Sequence, residues 1–153
     1  MEKAIGISRS AEHELYRIKD TDLLSIPFYT GYIAAGFPSP AGDYLEENIN
    51  LCDLLVRNPE STFLMRARGR SMVDANIQDG DILVIDRSIK PEDGRMAACY
   101  LDDGWTVKFI RRRAGKLYLK AANTVFPDIE IKEEMDFRVW GIITFIIHKA
   151  RAI

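Results

Sequence analysis

Histidine and cysteine are each present only twice in this chain, and the long apolar runs and one-sided charge that would mark several common classes of protein are missing. His13 falls in a charged early stretch and His148 at the far end of the last apolar run, so a Ser-His-Asp triad has little to be assembled from. Cys52 and Cys99 have neither CxxC nor zinc-finger spacing and sit among apolar neighbours, which is the pattern of buried free thiols. No disulfide, no metal and no cofactor are therefore expected. Clustered carboxylates and Gly-rich phosphate loops are also wanting, which removes paired-carboxylate and nucleotide chemistry from consideration. The longest apolar run, Val139 to Ile147, contains Thr144 and spans nine residues, too few for a membrane helix of about 20. The amino terminus carries no apolar h-region of a signal peptide, so the expected location is the cytoplasm, away from any membrane. With a net charge of −2 the chain has no bulk attraction to nucleic acid.

What is present is one domain's worth of ordinary globular sequence, 153 residues with enough apolar content to bury a real core. Residues 1 to 34 mix charge of both signs (Arg9, Arg17 and Lys19 beside Glu12, Glu14, Asp20 and Asp22) and read as an arm. Three packed helices of a DNA-reading domain do not fit there, so direct sequence-specific DNA binding is not expected. Ser25-Ile26-Pro27-Phe28-Tyr29 reads as a short extended segment, followed by a Gly/Pro/Ser-rich linker from Gly31 to Gly42 whose Pro38 and Pro40 prevent regular structure. Leu51, Leu54 and Leu55 lie at helical spacing behind Asn50 as N-cap and ahead of Asn58-Pro59, which predicts a short helix lying on a sheet.

From Phe63 onward the period is two, and strands are expected through Arg68 and over Ile82–Asp86, Arg95–Leu101, Trp105–Arg112, Lys116–Ala121 and Phe137–His148. Asp93-Gly94, Asp102-Asp103-Gly104 and Ala114-Gly115 supply turns. Many short strands with hardly any helix predict a mostly antiparallel β-fold, a sandwich or a partly open barrel. The last strand is apolar on both faces, so it is either central or meets a partner. Arg66, Arg68 and Arg70 recur at period two as a basic stripe, and Arg111, Arg112, Arg113 and Lys116 surround a hairpin turn; both fit solvated faces, or contacts to a partner.

Three features could carry chemistry together. Gly69-Arg70-Ser71-Met72 closes an apolar run, Lys108 follows in Trp105-Thr106-Val107-Lys108-Phe109-Ile110, and Ala34-Ala35-Gly36 offers a small-residue bond in the linker. Taken alone, Ser71 reads as a turn residue capping Met72-Val73-Asp74 and Lys108 as a solvated strand lysine. As a set they offer a nucleophile, its base and its substrate. The lysine would have to be desolvated, since at its ordinary pKa only about one in 2,500 is neutral at pH 7, and lowering that pKa to about 7 costs about 4.6 kcal/mol. Val107 and Phe109 project to the opposite strand face from Lys108, whereas Thr106 and Ile110 share its own, so Ile110 and the overlying linker are the expected cover.

In order and spacing these residues resemble the self-cleaving Ser/Lys peptidases of the LexA and UmuD family, and its UmuD-like members most closely, over roughly Ile26 to Ile147. Gly36-Phe37-Pro38-Ser39-Pro40-Ala41 and Asp43-Tyr44 look UmuD-like, whereas the Ala-Gly bond is of the LexA kind. Arg70 departs from UmuD-type sequences, where an acidic residue often precedes the serine. The resemblance implies a LexA/UmuD-type peptidase fold with a removable arm at 1–35 and a peptidase-like β domain at 36–153. It implies Ser71 as nucleophile, Lys108 as general base, the amides of Arg70 and Ser71 as oxyanion donors, and scission between Ala35 and Gly36. It further implies SOS mutagenesis as the setting, with a RecA filament on single-stranded DNA stimulating the cut and a homodimer joining a UmuC-type translesion polymerase. One other class remains open, an uncleaved regulatory binding module with a silent dyad; a signal peptidase shares a Ser/Lys dyad but needs a membrane anchor, which is not expected here.

Overall fold

The structure is a computed structural model that describes residues 15–17, 25–38 and 46–151. Expectations placed on His13, on the early charged residues other than Arg17, and on the linker from Ser39 to Gly42 lie outside the described residues. Among the described residues ten strands form two antiparallel sheets. They are β1 (Leu15–Arg17), β2 (Ser25–Tyr29), β3 (Glu46–Asn50), β4 (Thr62–Arg66), β5 (Ile82–Asp86), β6 (Met96–Leu101), β7 (Gly104–Arg113), β8 (Lys116–Lys120), β9 (Ile129–Glu130) and β10 (Phe137–Ile147). Eight of them make one sheet in the order β1-β4-β5-β10-β6-β7-β8-β9, and β2 pairs with β3 as a separate ribbon.

The apolar last strand is central, with β5 on one side and β6 on the other. This explains why β10 is apolar on both faces, and it resolves the choice between a central strand and a partner-facing one for most of its length. Its most exposed apolar side chains, Phe145 and Ile147, lie at the far end. Ala97 and Ala98 are adjacent in β6 yet belong to different buried clusters, so apolar packing covers both faces of the sheet. One cluster gathers Met72, Ile77, Leu83 and Ile85, the other Cys99, Ile110, Leu119 and Ile142. The turns fall where glycine allows them: Ala114 and Gly115 both adopt positive φ (49° and 76°) between β7 and β8, the two-residue hairpin geometry that matches strand twist.

Two expectations need correction. Helix α1 (Leu51–Leu55) forms, with the Asn50 side chain accepting from the Cys52 amide at 2.9 Å. It buries none of its residues, however, and Leu51 and Leu54 remain about half exposed, so it does not lie on the sheet. A single turn closed by its cap is too short to present a sustained apolar stripe. The second is Leu15–Arg17, where no strand was expected and which pairs with Met65–Phe63 at the edge of the large sheet; Ser25–Tyr29, read as extended, does form a strand and pairs with Asn50–Glu46. An exposed strand edge offers backbone partners to any segment that can extend, whatever its side-chain period. The scissile candidate Ala35-Gly36 thus lies in the connection between the two strands of the small ribbon.

Candidate active site

Ser71 sits in a loop that leaves β4 and returns to β5. Its neck is closed by backbone bonds, Ala67 N–H to Asp81 O at 2.8 Å and Gly80 N–H to Ala67 O at 2.9 Å. Met72 and Ile77 plug its interior at 3% exposure each, which makes it a compact loop packed by its own side chains. Gly69 turns the chain at φ 92°, a conformation that disfavours a side chain, and its amide donates to Asp79 Oδ1 at 2.6 Å. On the other flank, Asn123 Nδ2 donates to the Arg70 carbonyl at 2.8 Å, and the Asp74 amide donates to Ala122 O at 2.9 Å. The segment around Ser71 is therefore clasped from both sides. Asp79 and Asn123 carried no local signal in the sequence, because their partners are fixed by tertiary folding.

Ser71 does not act as a helix cap. The short 3-10 turn Val73–Ala75 has Met72 at its N-cap position and no side-chain cap bond. Its hydroxyl is engaged instead by Lys108, whose Nζ donates to Ser71 Oγ at 2.9 Å across 37 residues of sequence. The same nitrogen donates to Thr106 Oγ1 at 2.8 Å and to the Val107 carbonyl at 3.0 Å. Thr106, two residues before Lys108 on the same face of β7, was legible as a neighbour from strand alternation alone.

Lys108 is 6% exposed. Burial pushes its pKa below the ordinary lysine value, opposed by a smaller effect of the Cys99 thiol. The Cys99 thiol is pushed up to about 12, chiefly by its own burial, so it stays protonated beside the amine. The source of the desolvation differs from expectation. Ile110 is buried as foreseen, but Tyr32, Ile33 and Phe37 are almost fully exposed, so the described part of the linker, through residue 38, does not cover the amine. Lys108 lies opposite the fully buried Ala97 of β6, and its amine is held by Ser71, Thr106 and the Val107 carbonyl.

Gly69 N–H is committed to Asp79, whereas among the described residues no acceptor is recorded for the amides of Arg70 and Ser71. The basic stripe is not a strand face. β4 ends at Arg66, which donates to Gly80 O at 3.0 Å, and Arg68 and Arg70 continue into the loop. Two depressions meet at Ser71. One, of about 670 Å³, is lined by Met65, Met72, Leu83 and Trp105 among others; the second, of about 320 Å³, is lined by Lys108, Arg68, Arg70, Phe126, Pro127 and Ile129. His148 lies near Asp81 Oδ2, at 3.9 Å, and lines a depression with Asn76 and Ile143 that does not include Ser71. Both cysteines are free thiols, Cys99 buried and Cys52 half-buried.

The chain belongs to the peptidase S24-like family, which matches residues 27–144, and so to a class of self-cleaving serine peptidases. Within the LexA/UmuD family its relatives are UmuD-like. Protein MucA of Salmonella typhimurium is 39% identical over 121 residues, 78% of this chain and 82% of MucA. Protein SamA of the same species (strain LT2) is 35% identical over 126 residues, 82% of this chain and 87% of SamA. The LexA repressor of Cupriavidus taiwanensis is 33% identical over 127 residues, 83% of this chain but 58% of the repressor. These relationships support a role in SOS mutagenesis. Among the described residues no helix is long and apolar enough to cross a membrane.

Proposed function

We propose that this chain is a UmuD-like accessory protein that is activated by cutting itself between Ala35 and Gly36, with Ser71 as nucleophile and Lys108 as base. The observation that carries the reading is the contact between a buried amine of lowered pKa and the serine hydroxyl. A neutral lysine has two N–H donors and one lone pair. The Val107 carbonyl can only accept, and Thr106 Oγ1 offers a second acceptor, so with both N–H groups engaged there the lone pair faces Ser71. Lys108 then takes the Ser71 proton as Oγ attacks the Ala35 carbonyl carbon. The amides of Arg70 and Ser71 receive the oxyanion, and the lysine ammonium returns its proton to the Gly36 nitrogen as the bond breaks. Water then hydrolyses the acyl-enzyme, leaving 1–35 as the released arm and 36–153 as the working β domain.

Because the linker is exposed and Lys108 is already desolvated, the missing step is docking of the bond. A RecA filament on single-stranded DNA supplies that step by holding the linker in the cleft, where proximity replaces a rare encounter. The product dimerises and joins a UmuC-type translesion polymerase in the cytoplasm. Intact-mass measurement after incubation with RecA, a nucleotide analogue and single-stranded DNA tests the reading. The expected products are 1–35 and 36–153, absent with Ser71→Ala or Lys108→Ala. A chain that stays at full length is instead an uncleaved binding module.

A further inference from the structure

We infer that Phe37, two residues past Ala35, is the side chain that sets the register of the cut by seating against Phe126 in the smaller depression beside Lys108; this rests on the Ser71/Lys108 reading. In acyl transfer the group that deprotonates the nucleophile must afterwards protonate the leaving nitrogen, so it stands on the leaving-group side of the scissile bond. Of the two depressions that meet at Ser71, only the smaller has Lys108 in its wall. Residues after the bond, beginning with Gly36, therefore enter the smaller depression, and residues before it enter the larger.

Phe37 follows Gly36 directly, and the chain advances by only about 3.3 Å per extended residue, so its ring is delivered to that depression. Size and chemistry both suit it. The volume of about 320 Å³ compares with about 150 Å³ for an apolar cavity that holds benzene. Its walls combine the apolar surface of Phe126, Pro127 and Ile129 with Arg68 and Arg70, whose guanidinium groups favour an aromatic face over an aliphatic one. In the undocked chain the Phe37 ring is 95% exposed and Phe126 is 42% exposed, so docking removes two large apolar surfaces from water at once. Gly36 adds no Cβ between the bond and its anchor, and Pro38 behind Phe37 limits the backbone to extended geometry.

The test measures scission of the full chain by mass, both at mildly alkaline pH without RecA and with the RecA filament, so that recognition of the filament is separated from docking. Phe37→Ala and Phe126→Ala should each slow the cut by about tenfold or more in both settings, the order expected for losing a buried aromatic contact. The double variant should be no slower than the slower single one, because each change removes the same contact. Val125→Ala, at a neighbouring exposed position outside the depression, should cut at the parental rate. Parental rates for either phenylalanine variant, or effects that multiply in the double variant, overturn the inference while leaving the dyad standing. A parent chain that stays intact in both settings overturns the dyad and this inference with it.

Discussion

A lysine hidden from water in the folded chain and open to it in the unfolded chain couples folding to pH. Burial lowers the Lys108 pKa in the native state, so between that lowered value and the ordinary value of about 10.4 the unfolded chain binds more protons. Stability contributed at this site therefore rises with pH across that window, by up to about 1.4 kcal/mol per pH unit. Cys99 acts in the opposite sense: its thiol ionises at about 8.5 when unfolded but at about 12 when folded, so stability is lost as pH climbs between the two. Comparing Lys108→Met with its parent, both in a Ser71→Ala background to prevent cutting, cancels the cysteine contribution. The parent should gain on the variant in urea unfolding as pH rises from about 7 to about 10.5. Parallel curves would mean that Lys108 is not desolvated. At this scale the contact of Ser71 with Lys108 and the shared face of Thr106 were legible in the sequence, because alternation and motif order are local. It did not disclose the Asp79 and Asn123 clasps, which join residues 10 and 53 positions apart through single hydrogen bonds that leave no periodic trace.

Strand β10 shows how little freedom the central element has. Gly141 lies at one of its two register shifts, and a Cβ there would stand 2.6 Å from Ile85 Cγ2, 3.2 Å from Asp86 O and 3.3 Å from Arg87 Cγ. Ile85 is fully buried and the Asp86 oxygen is backbone, so neither can step aside. Gly141→Ala should cost about 1–3 kcal/mol, read as a lower urea midpoint at unchanged slope. An unchanged midpoint would show that β10 can shift its bulge to absorb the methyl. The strands from β5 to β8 and β10 were legible to within a residue or two because alternation and glycine turns bound them, as at Ala114-Gly115. The strand pattern past Phe63 was read two residues too far: Arg68 keeps the alternation, but Gly69 and the neck bonds at Ala67 have already taken the chain out of the ladder. Leu15–Arg17 was missed because three residues hold no measurable period, and only the waiting edge of β4 makes them a strand.

For the molecule as a whole, the small ribbon has a consequence of dilution. β2 and β3 meet over five register pairs, from Ser25 opposite Asn50 to Tyr29 opposite Glu46, and the Ala35-Gly36 bond lies in the chain that joins them. While that bond is intact, the strands find each other at the millimolar effective concentration of a short tether. Once it is cut, the same five pairs connect two separate molecules, and an isolated two-stranded ribbon is marginal in water. Scission would then leave a noncovalent complex whose lifetime depends on how much protein surrounds it. Gel filtration of cut protein should retain the 1–35 fragment on the large one when loaded concentrated and shed it when loaded at low micromolar levels. Co-elution at every dilution would mean that β1 on the β4 edge, together with the ribbon, holds the arm without a tether. The activating event would in that case be the making of a new chain end at Gly36, with the arm still in place.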